Sequence, residues 1–251
     1  MVAYHPVIHR FPSLTEASKA LADYLVTSCL EEIDEKGYFT LVLSGGSTPK
    51  LLYEMLGTSP YAERIPWHNV YLFWGDERCV PRNHEYSNFQ MVNPLLLSRI
   101  DIPAENLMHI DVGHENQQRA AQQYERMIAD FFTAKGAALT PGKDFPKFDF
   151  LLQGMGSDGH TASLFPDDAA LLENRKWVAW VAESPTQPKL PRLTMTLPVF
   201  NHGKRVVFLV SGKDKSALLD KFLRHPDTAS RKYPAAMINP TGRLLWYIGE
   251  N

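Results

Sequence analysis

Along the chain, apolar runs of strand length alternate with stretches in which apolar residues recur every three or four positions. The first such stretch, 13–35, opens on "SLTE". Ser13 is placed to cap a helix and Glu16 to reach back to it, and Leu14, Ala17, Leu21, Tyr24, Leu25 and Cys29 follow at helical spacing. "YFTLVLS" (38–44) then reads as a strand, "TPKLLYEML" (48–56) as a helix, "NVYLFWGD" (69–76) as a strand and "SNFQMVNPLLL" (87–97) as a helix with an internal proline. A long polar-rich helix is expected over 115–133, and "FDFLLQGM" (148–155) reads as the central apolar strand. "WVAWVA" (177–182), "RLTMTL" (192–197) and "RVVFLVSG" (205–212) are further strands, followed by a helix at 213–223 and a last strand in "RLLWYIG" (243–249). Strands that are nearly continuous in apolar residues and separated by helices predict an α/β fold. Only strands buried on both faces lose the alternation of apolar and polar positions, so the sheet is parallel or mixed and covered on both sides. The Pro/Gly-rich stretches 136–147 and 184–191 are loops, the first being the one candidate linker, and no repeat or low-complexity segment divides the chain. One domain over 1–251 is expected.

Composition narrows the function. Hydrophobic residues make up 44% of the 251 positions, enough for a sizeable core, and the formal net charge is −2 from 26 basic and 28 acidic residues. With no Lys/Arg run, neither a nucleic acid nor an acidic membrane is an expected partner, and any anion must be met by local charge. Cys29 and Cys79 form no metal-like spacing and are too few for a disulfide framework, so both are read as reduced thiols. The N-terminal "MVAYHPVIHRFPS" lacks the regions of a signal peptide, and no window has the 18 or so apolar residues of a membrane span. A cytoplasmic protein is expected.

In an open α/β sheet, ligands bind beyond the carboxyl ends of the strands, so the residues just after each strand carry the candidate chemistry. "SGGSTPK" (44–50) follows the first strand. Gly45 and Gly46 permit close backbone approach, Thr48 can cap the next helix and Pro49 suits its first position. With the Ser44, Ser47 and Thr48 hydroxyls, this loop can cradle a phosphate, although a tight strand-to-helix turn has the same residues. It is neither a Walker loop nor G-x-G-x-x-G, so no nucleotide is implied. "WGDERCVP" (74–81) brings Asp76, Glu77 and Arg78 to the next strand end. A carboxylate there can take a substrate hydroxyl or a proton and a guanidinium can bind an anion in two-pronged fashion; a solvated charged turn reads equally well. "GMGSDGHTASLFP" (154–166) follows the third strand. Its His160 is suited to proton transfer near neutral pH, and Asp158, two residues earlier, can orient it. Arg192 in "PRLTMT" and Lys215 in "SGKDKSALL" add cations near strand ends, where each alone reads as a surface charge. Together these residues suggest a site for a phosphorylated molecule.

The segments "LVLSGGSTPKLLYEML", "WGDERCVPRNHEYSN", "FDFLLQGMGSDGHTASLFP" and "VVFLVSGKDKSALL" closely resemble, in the same order, those of 6-phosphogluconolactonases, over about residues 10–248. The resemblance implies a three-layer αβα Rossmann-like fold shared with glucosamine-6-phosphate deaminases, with no bound dinucleotide. It also implies hydrolysis of 6-phospho-D-glucono-1,5-lactone to 6-phosphogluconate, the second step of the oxidative pentose phosphate pathway, with no metal and no other cofactor. The chain departs from the family at Gly249 in "WYIGEN", where an aspartate often stands. A lactone hydrolase needs a base for water, a donor for the developing oxyanion and an anchor for the phosphate. His160 is assigned as the base and Asp158 as its orienter. Arg78 is assigned either to the oxyanion or to the phosphate. Ser44, Gly45, Gly46, Ser47 and Thr48 form the cradle, Arg192 and Lys215 add charge around the phosphate, and Asp76 takes a sugar hydroxyl. Two other functions fit the fold. An amino-sugar-phosphate deaminase or isomerase carries "DGHIAFNEP" in place of "DGHTASLFP", so that its catalytic glutamate falls on Phe165, an apolar residue. A non-enzymatic sugar-phosphate sensor is expected to carry a helix-turn-helix segment with a basic face, whereas this sequence is read as entering the sheet domain almost at once. A monomer or weak homo-oligomer is expected.

Overall fold

Five consecutive buried residues, Phe39–Leu43, form the middle of the molecule, and strands on both sides of them run in the same direction. The computed structural model describes residues 5–113 and 116–251. Its strands are β1 (Val7–Phe11), β2 (Phe39–Leu43), β3 (Val70–Trp74), β4 (Asp76–Arg78), β5 (Leu107–Met108), β6 (Phe150–Gln153), β7 (Val178–Val181), β8 (Arg192–Met195), β9 (Arg205–Ser211) and β10 (Arg243–Gly249). Seven of them make a sheet in the order β1-β10-β9-β6-β2-β3-β5, in which every neighbouring pair is parallel. β2 and β6 are buried along their whole length and β9 at all but its last residue. This is the burial that the near-continuous apolar runs call for.

Helices cover the sheet as the spacing predicts. The helix Leu14–Lys36 is capped by Ser13, whose side chain accepts from the Glu16 N–H and donates to the Glu16 carboxylate, and it ends at Gly37 in the left-handed conformation (φ 84°). It buries Ala17, Leu21, Leu25 and Cys29 against the sheet. Burial raises the Cys29 thiol to about 12, with Asp149 adding to the shift, and both cysteines are free thiols. The helix expected from 115 runs over Gln117–Ala134, capped by Asn116; residue 115 lies outside the described residues, as do residues 1–4 of the N-terminal segment. On the other side of the core, the rings of Phe208 and Trp246 stack 3.9 Å apart across β9 and β10.

Several elements differ from expectation. β7 and β8 are strands, but not of the main sheet. With β4 they form a separate antiparallel sheet in the order β4-β8-β7, in which Asp76 faces Thr194 and Arg78 faces Arg192. The strand expected over 69–76 therefore stops at Trp74. Gly75 donates to the Leu43 carbonyl at one end of β2 and accepts from Met195 of β8, so the chain passes there from one sheet to the other. The helix expected over 87–97 covers only Asn88–Val92, because Pro94 cannot continue it, and a 3₁₀ turn follows at Leu97–Arg99. The helix expected from Thr48 begins at Lys50. Pro49 flanks it and no side chain caps it, so neither the Thr48 cap nor Pro49 as first helical residue is formed.

Candidate functional site

The carboxyl ends of β2, β3 and β6 and the start of the helix Lys213–Arg224 surround a cleft of about 200 Å³, room for a small molecule. Ser44, Gly45, Gly46, Ser47 and Thr48 line it from the end of β2, Asp76 and Arg78 from β4, His160 from the loop after β6, Arg192 from β8 and Lys215 from the first turn of that helix. These residues, far apart in the chain, are brought together as the strand-end rule expects. Asp158 does not line the cleft; it reaches the site through His160.

Each side chain owes its place to local backbone. β4 is extended, so its residues alternate in direction: Asp76 and Arg78 line the cleft while Glu77, between them, points away. Glu77 is buried and accepts from the backbone N–H groups of Arg78 (2.7 Å), Asn88 (2.7 Å) and Phe89 (2.9 Å) and from the Ser87 hydroxyl (3.2 Å). Burial pushes its carboxyl up against the pull of these backbone donors. It is a cap for the helix Asn88–Val92, neither a member of the site nor a solvated turn residue. The His160 ring is held by the Asp158 carboxylate, Nδ1 to Oδ1 at 2.5 Å, and the same oxygen accepts from the His160 backbone N–H at 3.1 Å. A Cβ on Gly156 would stand 2.2 Å from His160 Nδ1, so only glycine admits this ring position. Phe165 is fully buried, its ring 4.8 Å from the imidazole, and closes one side of the histidine with an apolar wall. Burial pushes the Asp158 carboxyl up, but its hydrogen bond to His160 and the charge there outweigh this, and the net direction is down. Asp158 is thus held as a carboxylate.

The charges of the cleft are unbalanced. Arg192 is 3% exposed and donates from Nη2 to the Pro188 carbonyl at 3.1 Å, while its buried Nε has no hydrogen-bond partner among the described residues. Burial lowers its basicity; Asp76 opposes that shift and Arg78 adds to it. Arg78 donates from Nη1 to the Tyr86 carbonyl at 2.8 Å, and its buried Nε is also without a partner. Lys215 is pulled down by burial. Among the described residues, none of the three lies within 4.0 Å of a carboxylate oxygen, and none of the N–H groups of Gly45, Gly46, Ser47 and Thr48 donates a hydrogen bond. Three cations and a run of open donors facing one cleft suit a multiply charged anion. The cleft's carboxylate, Asp76, is buried and engaged, accepting from the Ser163 hydroxyl at 2.6 Å and from Asn88 Nδ2 at 3.2 Å. Among the described residues no group of three or more His, Cys, Asp or Glu is arranged to hold a metal ion.

Sequence reasoning did not pick out Pro49, Gly154, Met155, Gly156 and Ala162, which also line the cleft, or Asn88 and Ser163, which hold Asp76. Gly154 and Gly156 stand in the glycine-rich stretch before His160, where their number was the available signal. Asn88 and Ser163 carried none, since their contacts are made across the fold.

Comparison with known proteins places nearly the whole chain in one family. The family described as glucosamine-6-phosphate isomerases/6-phosphogluconolactonase matches residues 12–246. A 6-phosphogluconolactonase of Synechocystis is 38% identical over 231 residues, covering 90% of each chain. The crystal structure of 6-phosphogluconolactonase from Thermotoga maritima superposes with a TM-score of 0.81 at 30% identity, covering 97% of this chain and 99% of that one. A monomeric glucosamine-6-phosphate deaminase, 20% identical with a TM-score of 0.76 over 96% of this chain and 97% of its own, shares the fold.

Proposed function

Because this chain belongs to the family of glucosamine-6-phosphate isomerases and 6-phosphogluconolactonases, we propose that it hydrolyses 6-phospho-D-glucono-1,5-lactone to 6-phosphogluconate. The observation that carries this reading is the pairing, in one cleft, of a carboxylate-held histidine with three cations that, among the described residues, have no carboxylate of their own. A neutral His160 whose Nδ1–H donates to Asp158 presents Nε2 as a base. It takes a proton from water as the water oxygen bonds to the lactone carbonyl carbon, and the carbonyl oxygen becomes an oxyanion. When the ring C–O bond breaks, the imidazolium returns the proton to the departing ring oxygen, and the product is an open-chain acid that ionises in water. Arg78 is assigned to the oxyanion, and Arg192, Lys215 and the 44–48 loop to the phosphate, which is present in substrate and transition state alike. Asp76 accepts from a sugar hydroxyl.

Phe165 weighs against deamination, since a buried phenyl ring beside His160 cannot exchange protons. The same reading takes residues 1–251 as one domain acting in the cytoplasm, in the oxidative pentose phosphate pathway, as a monomer or weak homo-oligomer. No helix among the described residues is long and apolar enough to cross a membrane. The test is an assay on freshly prepared 6-phosphogluconolactone, corrected for spontaneous opening. Formation of 6-phosphogluconate well above background is expected, with no ammonia released from glucosamine-6-phosphate. A rate equal to background on the lactone would overturn the assignment.

A further inference from the structure

Asn88 joins two parts of the cleft that the sequence keeps apart. Its side chain is 1% exposed. Nδ2 donates to the Asp76 backbone carbonyl at 2.9 Å and to Asp76 Oδ1 at 3.2 Å, which fixes the orientation of the amide. Oδ1 is thereby turned away from Asp76, and it is buried with no hydrogen-bond partner among the described residues. What it meets is the phosphate loop. A Cβ built on Gly45 would stand 2.2 Å from Asn88 Oδ1, 2.6 Å from Cγ and 2.7 Å from Nδ2, and these are its three nearest contacts. Gly45 does not have a left-handed φ, so its backbone does not call for glycine. What keeps the residue small is its close approach to the Asn88 amide. The backbone N–H of Asn88 is held separately, by Glu77 Oε1 at 2.7 Å, so the position of residue 88 is set by the main chain and its amide is left to act on the cleft.

We propose that Asn88 is a positioning residue that fixes the spacing between Asp76 and the Gly45 loop, and so makes recognition of the sugar hydroxyls and of the phosphate interdependent. The inference rests on the lactonase reading given above. Asp76 is held by the Nδ2 of a rigid planar amide, and the same amide, Oδ1 nearest, packs against Gly45, so a substrate that engages both Asp76 and the loop is measured against a fixed length. A substrate without the phosphate engages Asp76 alone. A side chain that served only to fill space would affect both kinds of substrate alike.

The experiment is a double-mutant cycle on the full chain with Asn88→Ala and Gly45→Ala, assayed on 6-phosphogluconolactone and on unphosphorylated gluconolactone, with thermal unfolding of each variant. Wild-type turnover of the phosphorylated lactone tests the lactonase reading by itself. Given that turnover, Asn88→Ala should reduce the preference for the phosphorylated over the unphosphorylated lactone by tenfold or more, mainly through KM. Gly45→Ala should cost at least thirtyfold in kcat/KM and lower the melting temperature, because its methyl group meets the amide. In the double variant that clash is gone, so its kcat/KM and melting temperature should be no worse than those of Asn88→Ala, a strong departure from additivity. Additive losses, or an unchanged preference between the two lactones, would overturn the proposal. If Asn88→Ala does not fold, Asn88→Ser, which removes Oδ1 and Nδ2 and keeps only a hydroxyl near the place of Cγ, carries the comparison of the two lactones.

Discussion

The two ends of the parallel sheet handle charge in opposite ways. At the amino ends of the strands, Glu32 is buried and surrounded by cations: Lys204 at 2.7 Å, Arg205 at 2.6 Å and Lys36 at 3.5 Å. Arg205 also reaches Glu31 at 3.0 Å, and Lys36 pairs with buried Asp149, which accepts from the Thr40 N–H (2.8 Å) and hydroxyl (2.7 Å). Burial alone would push the Glu32 carboxyl up. The hydrogen bonds from Lys204 and Arg205 outweigh it and hold the group at about 2. At the carboxyl ends, Arg78, Arg192 and Lys215 gather around a cleft with no carboxylate within ion-pair distance of any of them, among the described residues. A buried charge left without a counter-ion costs stability, so the open end is under strain that the closed end has relieved. Charge at the closed end holds the fold together, and charge at the open end waits for a ligand.

The sharpest break in that comparison is at His160, which belongs wholly to the open end. His160→Ala should lower kcat by about two to four orders of magnitude, the usual contribution of general-base catalysis, while the melting temperature hardly moves. Steady-state kinetics beside a thermal melt checks it, and activity within about threefold of the parent would remove the histidine from its role. Next in size is the converse. Glu32→Gln leaves Lys204 and Arg205 facing an uncharged group and should cost about 3–5 kcal/mol of stability at pH 7, with kcat of the folded enzyme unchanged. Because the folded-state carboxyl sits near 2 against an ordinary 4.5, its contribution is complete above pH 5 or so and is lost as the pH falls toward 2. The gap between parent and variant in denaturant unfolding should close over that window; a gap independent of pH would mean that the cluster acts by shape alone. The smallest effect is expected at Arg192. Arg192→Met should raise KM for the phosphorylated lactone by about tenfold, or about 1.4 kcal/mol, with kcat much less affected. Removing an uncompensated buried charge should leave the melting temperature equal or higher, and inorganic phosphate should stabilise the parent more than the variant. A melting temperature that falls as it does for Glu32→Gln would place Arg192 with the structural charges instead.

What the sequence made legible follows from how far each signal reaches. β2, β6 and β9 stood out because burial on both faces leaves an unbroken apolar run, and the helix Leu14–Lys36 because its cap and its stripe are local. β1 did not, since "VIHRF" is an edge strand with His9 and Arg10 in it. It is held by pairing with β10 and by the packing of His9 and Phe11 on the Tyr247 ring, all of them contacts with the far end of the chain. β5, two residues long, has no pattern to read. The second sheet was hidden for a different reason. β7 reads like a main-sheet strand and β8 is as fully buried as one, and only long-range pairing with β4 separates them. Within the site, glycines and charged residues after strands were visible as chemistry. Asn88 and Ser163 were not, because an asparagine opening a helix and a serine in a turn look ordinary until Asp76 is seen between them.

The pairing of Arg78 with Arg192 has a consequence for how such a protein can diverge. The two guanidinium groups arrive from strands separated by nearly half the chain, and their relative placement is set by the β4–β8 ladder. In a ladder, a slip of one residue turns every side chain to the opposite face. Insertions and deletions in the loops of the long connection, outside the strands it contains, therefore leave the arginines where they are. A single residue gained or lost within 76–78 or 192–195 sends one of them out of the cleft. Descendants of this chain are free to vary in length across those loops of the connection that lie outside the site stretch 154–166, and closed to length change in two short windows whose register, and not only their charge, is under constraint.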